Sequence, residues 1–287
     1  MWNCLYSIHL EFTSGKNLFQ LEERCEQYAV HMDQVRQNEA LLLTASIWRL
    51  ISNLIGKDSP LLSSRGLSLE PSTTIADSQI FHEEILLRDI RKSSPVLPFF
   101  DRVAQNMLLA YKRKYVEGAE MSIKRGGEFL GNFPFQAIAV WDTFLRGVCL
   151  FGAARQTKKR RYKRHARKIR ATVDKWLEQD NPNVRHHSAL FAAEDLALRG
   201  KFKEAQRSYE SAIVAASRGG YIQDRAIAHE RYALHLLQDM KDSESASYHV
   251  KEADRMFKEW GAHSLCYREA PTSVQLELIS RALSQLK

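Results

Sequence analysis

Punctuation is scarce in this chain. Seven prolines and thirteen glycines serve 287 residues, and the breaks that carry proline, serine and glycine are few, at 56–74, 93–98, 131–134, 180–183, 218–220 and 271–273. Between the breaks no run alternates apolar and polar residues as a strand would. Cysteine is equally sparse. Cys4, Cys25, Cys149 and Cys266 lie far apart with no CxxC pair, which favours reduced thiols in a cytosolic-type compartment over disulfides or a cysteine zinc site. No stretch reaches 18 uninterrupted apolar residues. The nearest, 140–154, is broken by Asp142 and Arg146. The opening "MWNCLYSIHLEF" has neither a basic leader nor a small-residue cleavage site. It starts inside a helical pattern, as a fragment would.

Catalytic signatures are missing too. The Gly-Lys pair of "TSGKN" (13–17) lacks the first glycine and the hydroxyl residue of a phosphate-binding loop. There is no dinucleotide fingerprint, HExxH, kinase HRD or DFG set, or GxSxG elbow. His186 and His187 are adjacent and project in different directions on a helix. No partner can be nominated for them, and they read as packing beside Trp176. His229 and Glu230 lack a second histidine at metal spacing. Glu194, among small apolar residues, reads as an inter-helix hydrogen-bond acceptor rather than a base. No catalytic residue, cofactor or metal is expected.

What is present is helical period. Ala205, Tyr209, Ala212 and Ala216 step by four, three and four, and Ala246, Val250, Ala253, Phe257 and Trp260 continue the same rhythm. Asp242 or Ser243 can cap the second of these helices, and Gly261 marks its exit. Leu276, Ile279, Leu283 and Leu286 make a last stripe behind a capping box at Thr272 and Gln275. Ala205, Tyr209 and Ala212 align with Ala246, Val250 and Ala253 at a constant offset of 41, each set preceded by a further helix, near 186–199 and 222–237. The unit is a helical hairpin, repeated. In 196–213, Gly200 at the turn, Phe202 packing, Ala205 at a close approach, Tyr209 and Ala212 follow tetratricopeptide grammar, whose usual period is about 34. The expected fold is all-α, an α-solenoid of such hairpins. Residues 1–56 form N-terminal helical hairpins, with 38–56 interior. Residues 57–98 form a loop or insertion with a short helix. Residues 99–287 form the array, including a hairpin over 105–130 with a turn near Lys114 and Ala119, Ile123 and Gly126 on its second helix.

The formal charge of +8 is local. Nine cations (Lys158, Lys159, Arg160, Arg161, Lys163, Arg164, Arg167, Lys168 and Arg170) occupy 158–170 without an acid, and the rest of the chain sums to −1. The run also carries the stripe Tyr162, Ala166, Ile169, Val173 and Trp176, so it is a docked helix rather than a free basic tag. Mutual repulsion costs a few tenths of a kcal/mol per close pair, roughly, which packing must offset. Three uses stay open for the first eight of these residues: a solvated face, contact with an acidic protein or neighbouring domain, and contact with RNA, DNA or anionic lipid. No aromatic-rich sheet, zinc knuckle or helix-turn-helix pattern accompanies the run.

Residues 175–237 and 246–264 carry Trp176, Asn183, His186, His187, Ala193, Glu194, Gly200, Ala205, Tyr209, Ala212, Ile213, Ala226, Glu230 and Trp260–Gly261–Ala262. With these features the chain resembles the tetratricopeptide-like helical region of large multidomain signalling proteins. Those proteins join a kinase-like domain, a predicted AAA-type ATPase, the helical region, and a GAF plus histidine kinase or nucleotide cyclase module. Residues 51–56 and 112–122 are similar to the same region. The chain departs from the pattern at 238–245, which lacks the usual glycine, and at His263 and Ser264, where lysine is common. The resemblance implies a cytoplasmic, non-catalytic scaffold or regulatory region. A nuclear, nucleic-acid-binding protein working through 158–170 is the rival.

Overall fold

The computed structural model describes residues 2–35, 37–57, 96–133 and 136–267. Among them it has twelve α-helices and no strand, so the chain is all-α. In order they are α1 (Trp2–Thr13), α2 (Leu18–Gln34), α3 (Asn38–Ile55), α4 (Leu97–Tyr111), α5 (Tyr115–Arg125), α6 (Glu128–Asn132), α7 (Ala137–Thr157), α8 (Arg160–Glu178), α9 (Arg185–Leu198), α10 (Phe202–Gly219), α11 (Ile222–His235) and α12 (Ser243–Trp260). The stripe at 276–286, the capping box before it and most of the expected insertion lie outside the described residues.

Neighbours in sequence are neighbours in space. α2 packs on α3, α3 on α4, α5 and α8 on α7, α9 on α10, α10 on α11, and α11 on α12. The stripes explain why. Ala205, Tyr209, Ala212 and Ala216 are all fully buried, as are Ala246 and Ala253, with Val250 and Trp260 close to it. Tyr162, Ala166, Ile169 and Val173 bury the inner face of α8 in the same way. α9 and α11 begin at 185 and 222, 37 residues apart, whereas α10 and α12 begin at 202 and 243, 41 apart. The difference is taken up by one extra π-helical turn after α11, Leu236–Met240.

Local signals account for the ends. Asp242, not Ser243, caps α12, its carboxylate accepting from Ser245 N at 3.0 Å. Gly261 closes the same helix in the left-handed region at φ +93°. Two expectations are corrected. Gly126 is not on the face of α5 but ends it at φ +61°, a backbone conformation that L side chains resist. Phe202 does not pack into the core, because it sits at the first position of α10 and stays 36 % exposed, its ring edge against His235.

α7 is the centre. By length and composition it could span a membrane, yet 89 % of its apolar window is buried within the fold. It touches α1, α4, α5, α8 and α9. Gly147 and Gly152 let it approach α9 and α5, since a Cβ at either would enter the ring of Phe191 or Tyr115. The N-terminal helices turn back onto residues far along the chain. Phe12 lies between Trp141 and Trp260, Asn17 donates to the Glu259 carbonyl, Gln223 to the Thr13 carbonyl, and Ser264 to the Asn53 carbonyl.

Candidate functional site

The nine cations of 158–170 fall into two groups. Arg161 pairs with Glu120 of α5, which also accepts from Tyr162 Oη at 2.6 Å. Lys163 donates to the Leu198 carbonyl at the end of α9. Arg167 and Arg170 both pair with Asp195, at 2.7 and 3.2 Å, and Arg199 joins them. Asp195 is almost wholly buried while Arg167 is exposed, so this node ties α8 to α9. Lys158, Lys159, Arg160, Arg164 and Lys168 are exposed and have no acid within ion-pair distance among the described residues. Arg160, Lys163, Arg164, Arg167, Lys168 and Ala171 line a shallow groove of about 550 Å³ on this face.

The field of that group is visible at His165. Partial burial, then Arg164, Lys168 and Arg161, hold its imidazole below the usual range. The placement also opposes the helix itself. α8 has no acid in its first turn and no side chain capping it, so Lys159, Arg160 and Arg161 crowd the positive end of its dipole. The packed stripe carries that cost.

A second polar cluster lies inside the fold and was not foreseen. His186 and His187, at the start of α9, do not diverge. Both turn Nε2 toward Asp224 Oδ2 on α11, at 2.7 and 2.9 Å. Asp224 Oδ1 accepts from Trp141 Nε1 of α7 at 3.0 Å. Neither histidine makes a ring contact with Trp176 among the described residues. His186 stacks on Tyr221 and His187 on Phe144 instead. The adjacent rings converge because His186 faces the turn before α11 while His187 faces α7. Burial, aided by the neighbouring His186, pushes His187 down to about 4, so it is neutral. Burial works to raise Asp224, but hydrogen bonds from both histidines prevail and hold it well below the ordinary carboxylate range. A cavity of about 210 Å³ adjoins the cluster, lined in part by Ser14, Asn181, Asn183 and Tyr221. Among the described residues this is the group that gathers three metal-capable ligand atoms.

Glu194 accepts across the α9–α11 interface. Arg231 grips it with two bonds, Nε to Oε1 at 2.7 Å and Nη2 to Oε2 at 3.0 Å. Arg155 of α7 stands 3.7 Å from Glu194 and 2.6 Å from Asp239. Burial favours the neutral acid, yet Arg231 and Arg155 keep Glu194 below its usual range, so it stays charged and is held by the two arginines. Glu230 is likewise engaged, by Arg113 and by Tyr115 Oη at 3.1 Å. His229 meets His249, Nδ1 to Nδ1, at 2.8 Å.

No family model matches the chain, and neither a curated protein nor a solved structure matches it.

Proposed function

We propose that this chain is a non-catalytic helical scaffold, an α-solenoid of tetratricopeptide-like hairpins, that docks an acidic protein surface on the outer face of α8. In this reading it works as the helical region of the signalling ATPases and sensor kinases that its sequence resembles, and the partner is then a neighbouring domain or a separate protein in the cytoplasm. Support for the solenoid comes from helix pairs packed in chain order and from the 41-residue recurrence of Ala205, Tyr209 and Ala212.

One observation carries the docking face. Five cations have no acidic partner among the described residues: Lys158 and Lys159 just before α8, and Arg160, Arg164 and Lys168 on that packed helix, with Lys159 and Arg160 at the end where its dipole disfavours them. A carboxylate arriving there meets positive side chains and free first-turn N–H groups together. The face offers no exposed aromatic for base stacking, since Tyr162 is buried, and this favours an acidic protein over single-stranded nucleic acid.

The test compares binding of a polyglutamate peptide and of RNA of equal charge, over a salt series, with wild type and the variant K159E/R160E/R164E/K168E. Peptide binding abolished by the reversal, with RNA bound no more tightly than peptide, is the expected result. Tighter RNA binding whose salt slope falls by several on reversal transfers the face to nucleic acid. Nucleotide hydrolysis or phosphotransfer by the purified chain, lost on a substitution within it, refutes the non-catalytic reading.

A further inference from the structure

Six carboxylates are buried to about nine-tenths or more: Asp101, Asp142, Glu194, Asp195, Asp224 and Glu230. Five of them face an arginine, namely Arg49, Arg125, Arg231, Arg167 and Arg113 respectively. That is what burial of a charge demands. Asp224 is the exception. Its ion-pair partners among the described residues are His186 and His187 alone. Its other oxygen meets a neutral indole N–H. Among the described residues Asp224 therefore has no arginine or lysine beside it, and two imidazole nitrogens point at the same oxygen.

We propose that the chain binds a divalent transition-metal ion, zinc in the first place, through His186 Nε2, His187 Nε2 and an Asp224 carboxylate oxygen. Imidazole nitrogen with a carboxylate oxygen is a donor set suited to zinc, and three protein ligands leave one position open. The three atoms lie within 4.8 Å of one another. Tetrahedral zinc with bonds of about 2.0–2.1 Å separates its ligands by about 3.3 Å. The 2.7 and 2.9 Å histidine–aspartate separations need to widen by about half an ångström, and the two Nε2 atoms, within 4.8 Å of each other, must settle at the same figure.

Proton bookkeeping is simple. Without metal, each histidine keeps its proton on Nε2 and donates it to Asp224. With metal, each Nε2 lone pair binds the ion and the ring proton is carried on Nδ1. Among the described residues His187 Nδ1 is buried and makes no hydrogen bond, so it holds no competing proton. Trp141 Nε1 holds the carboxylate, and the stacks on Phe144 and Tyr221 hold the rings, as outer groups do in metal sites. The open position faces the cavity with Ser14, Asn181 and Asn183, which suits a water or a small oxygen donor.

The full chain, stripped by chelator, is titrated with Zn2+ and with Co2+. One equivalent should bind, Co2+ should show the visible bands of four-coordinate geometry, and both imidazoles should change tautomer by 15N NMR. H187Q and D224N should each lower affinity by more than the roughly 10–100-fold that loss of an outer-shell partner costs, and W141F by about 10-fold. Absence of saturable uptake overturns the proposal. So does uptake that survives in H187Q and D224N, which puts the ion on Cys4 or Cys266, or uptake lost in H249Q instead, which puts it between His229 and His249. If a variant fails to fold, the Co2+ spectrum and the tautomers of the wild-type chain decide.

Discussion

Replacing Glu194 by glutamine keeps the shape of the α9–α11 interface and removes its charge. Arg231 then keeps one bond, to the amide oxygen, but loses its charged partner and the second bond, with its side chain only 2 % exposed. Arg155 keeps Asp239 but loses its second acid. Breaking one side of a buried pair costs about 3–5 kcal/mol, because the remaining charge is stranded away from water. At about 2–4 °C per kcal/mol for a chain of this size, Tm should fall by roughly 10 °C. Urea unfolding and calorimetry measure it, with the slope of the urea transition checked for two-state behaviour. The double variant E194L/R231M should recover most of the loss, since an apolar replacement of similar volume spares both desolvation costs. A fall of less than about 1 kcal/mol for E194Q, within the range of an exposed pair, would refute the claim that this interface rests on a buried ion pair.

Two further outcomes follow from the core. Burial alone depresses His9 to about 4, so it is neutral when folded and titrates near 6.5 when unfolded. A depressed histidine contributes fully above pH 6.5, and that contribution is lost as pH falls toward 4. A gap of this size is worth about 3 kcal/mol, so H9L should flatten the fall in the urea midpoint between pH 7 and 4.5, while an unchanged slope would count against burial of His9. G147A should destabilise despite alanine's better helix propensity, because its Cβ enters the Phe191 ring. A loss of about 1–3 kcal/mol by calorimetry is expected, and a rise in Tm would show that α7 and α9 are not in contact there.

Period was legible from the start. Ala205, Tyr209 and Ala212 announce their burial through spacing, and Asp242, Gly200 and Gly261 announce turns through backbone chemistry. Partners were harder to read, because residue type states what a side chain needs and not where it finds it. Glu194 reads as an acceptor, but nothing local names Arg231. A signal does exist. Glu194 and Arg231, like His187 and Asp224, are 37 residues apart, the same spacing as the starts of α9 and α11. Equivalent positions of successive first helices therefore face each other, and a polar residue on one predicts its partner on the next. The 41-residue offset of the second helices hid this. The nine cations of 158–170 misled in another way. Their run suggests one uniform surface, but Asp195, Glu120 and the Leu198 carbonyl claim four of them from other helices.

The return of α1–α3 onto Trp260, Glu259 and Ser264 has a kinetic side. An open array of hairpins has low contact order, and each pair can form as soon as it leaves the ribosome. Here Asn17 waits for a residue 242 positions later, Gln223 reaches back 210, and Ser264 reaches back 211. Phe12 finds Trp260 only after the last described helix has been made. During synthesis the apolar faces of α1 and α2 stay unfinished until then. These long-range contacts predict that folding ends in a late closure of the N-terminal helices onto α12 rather than by stepwise addition of hairpins.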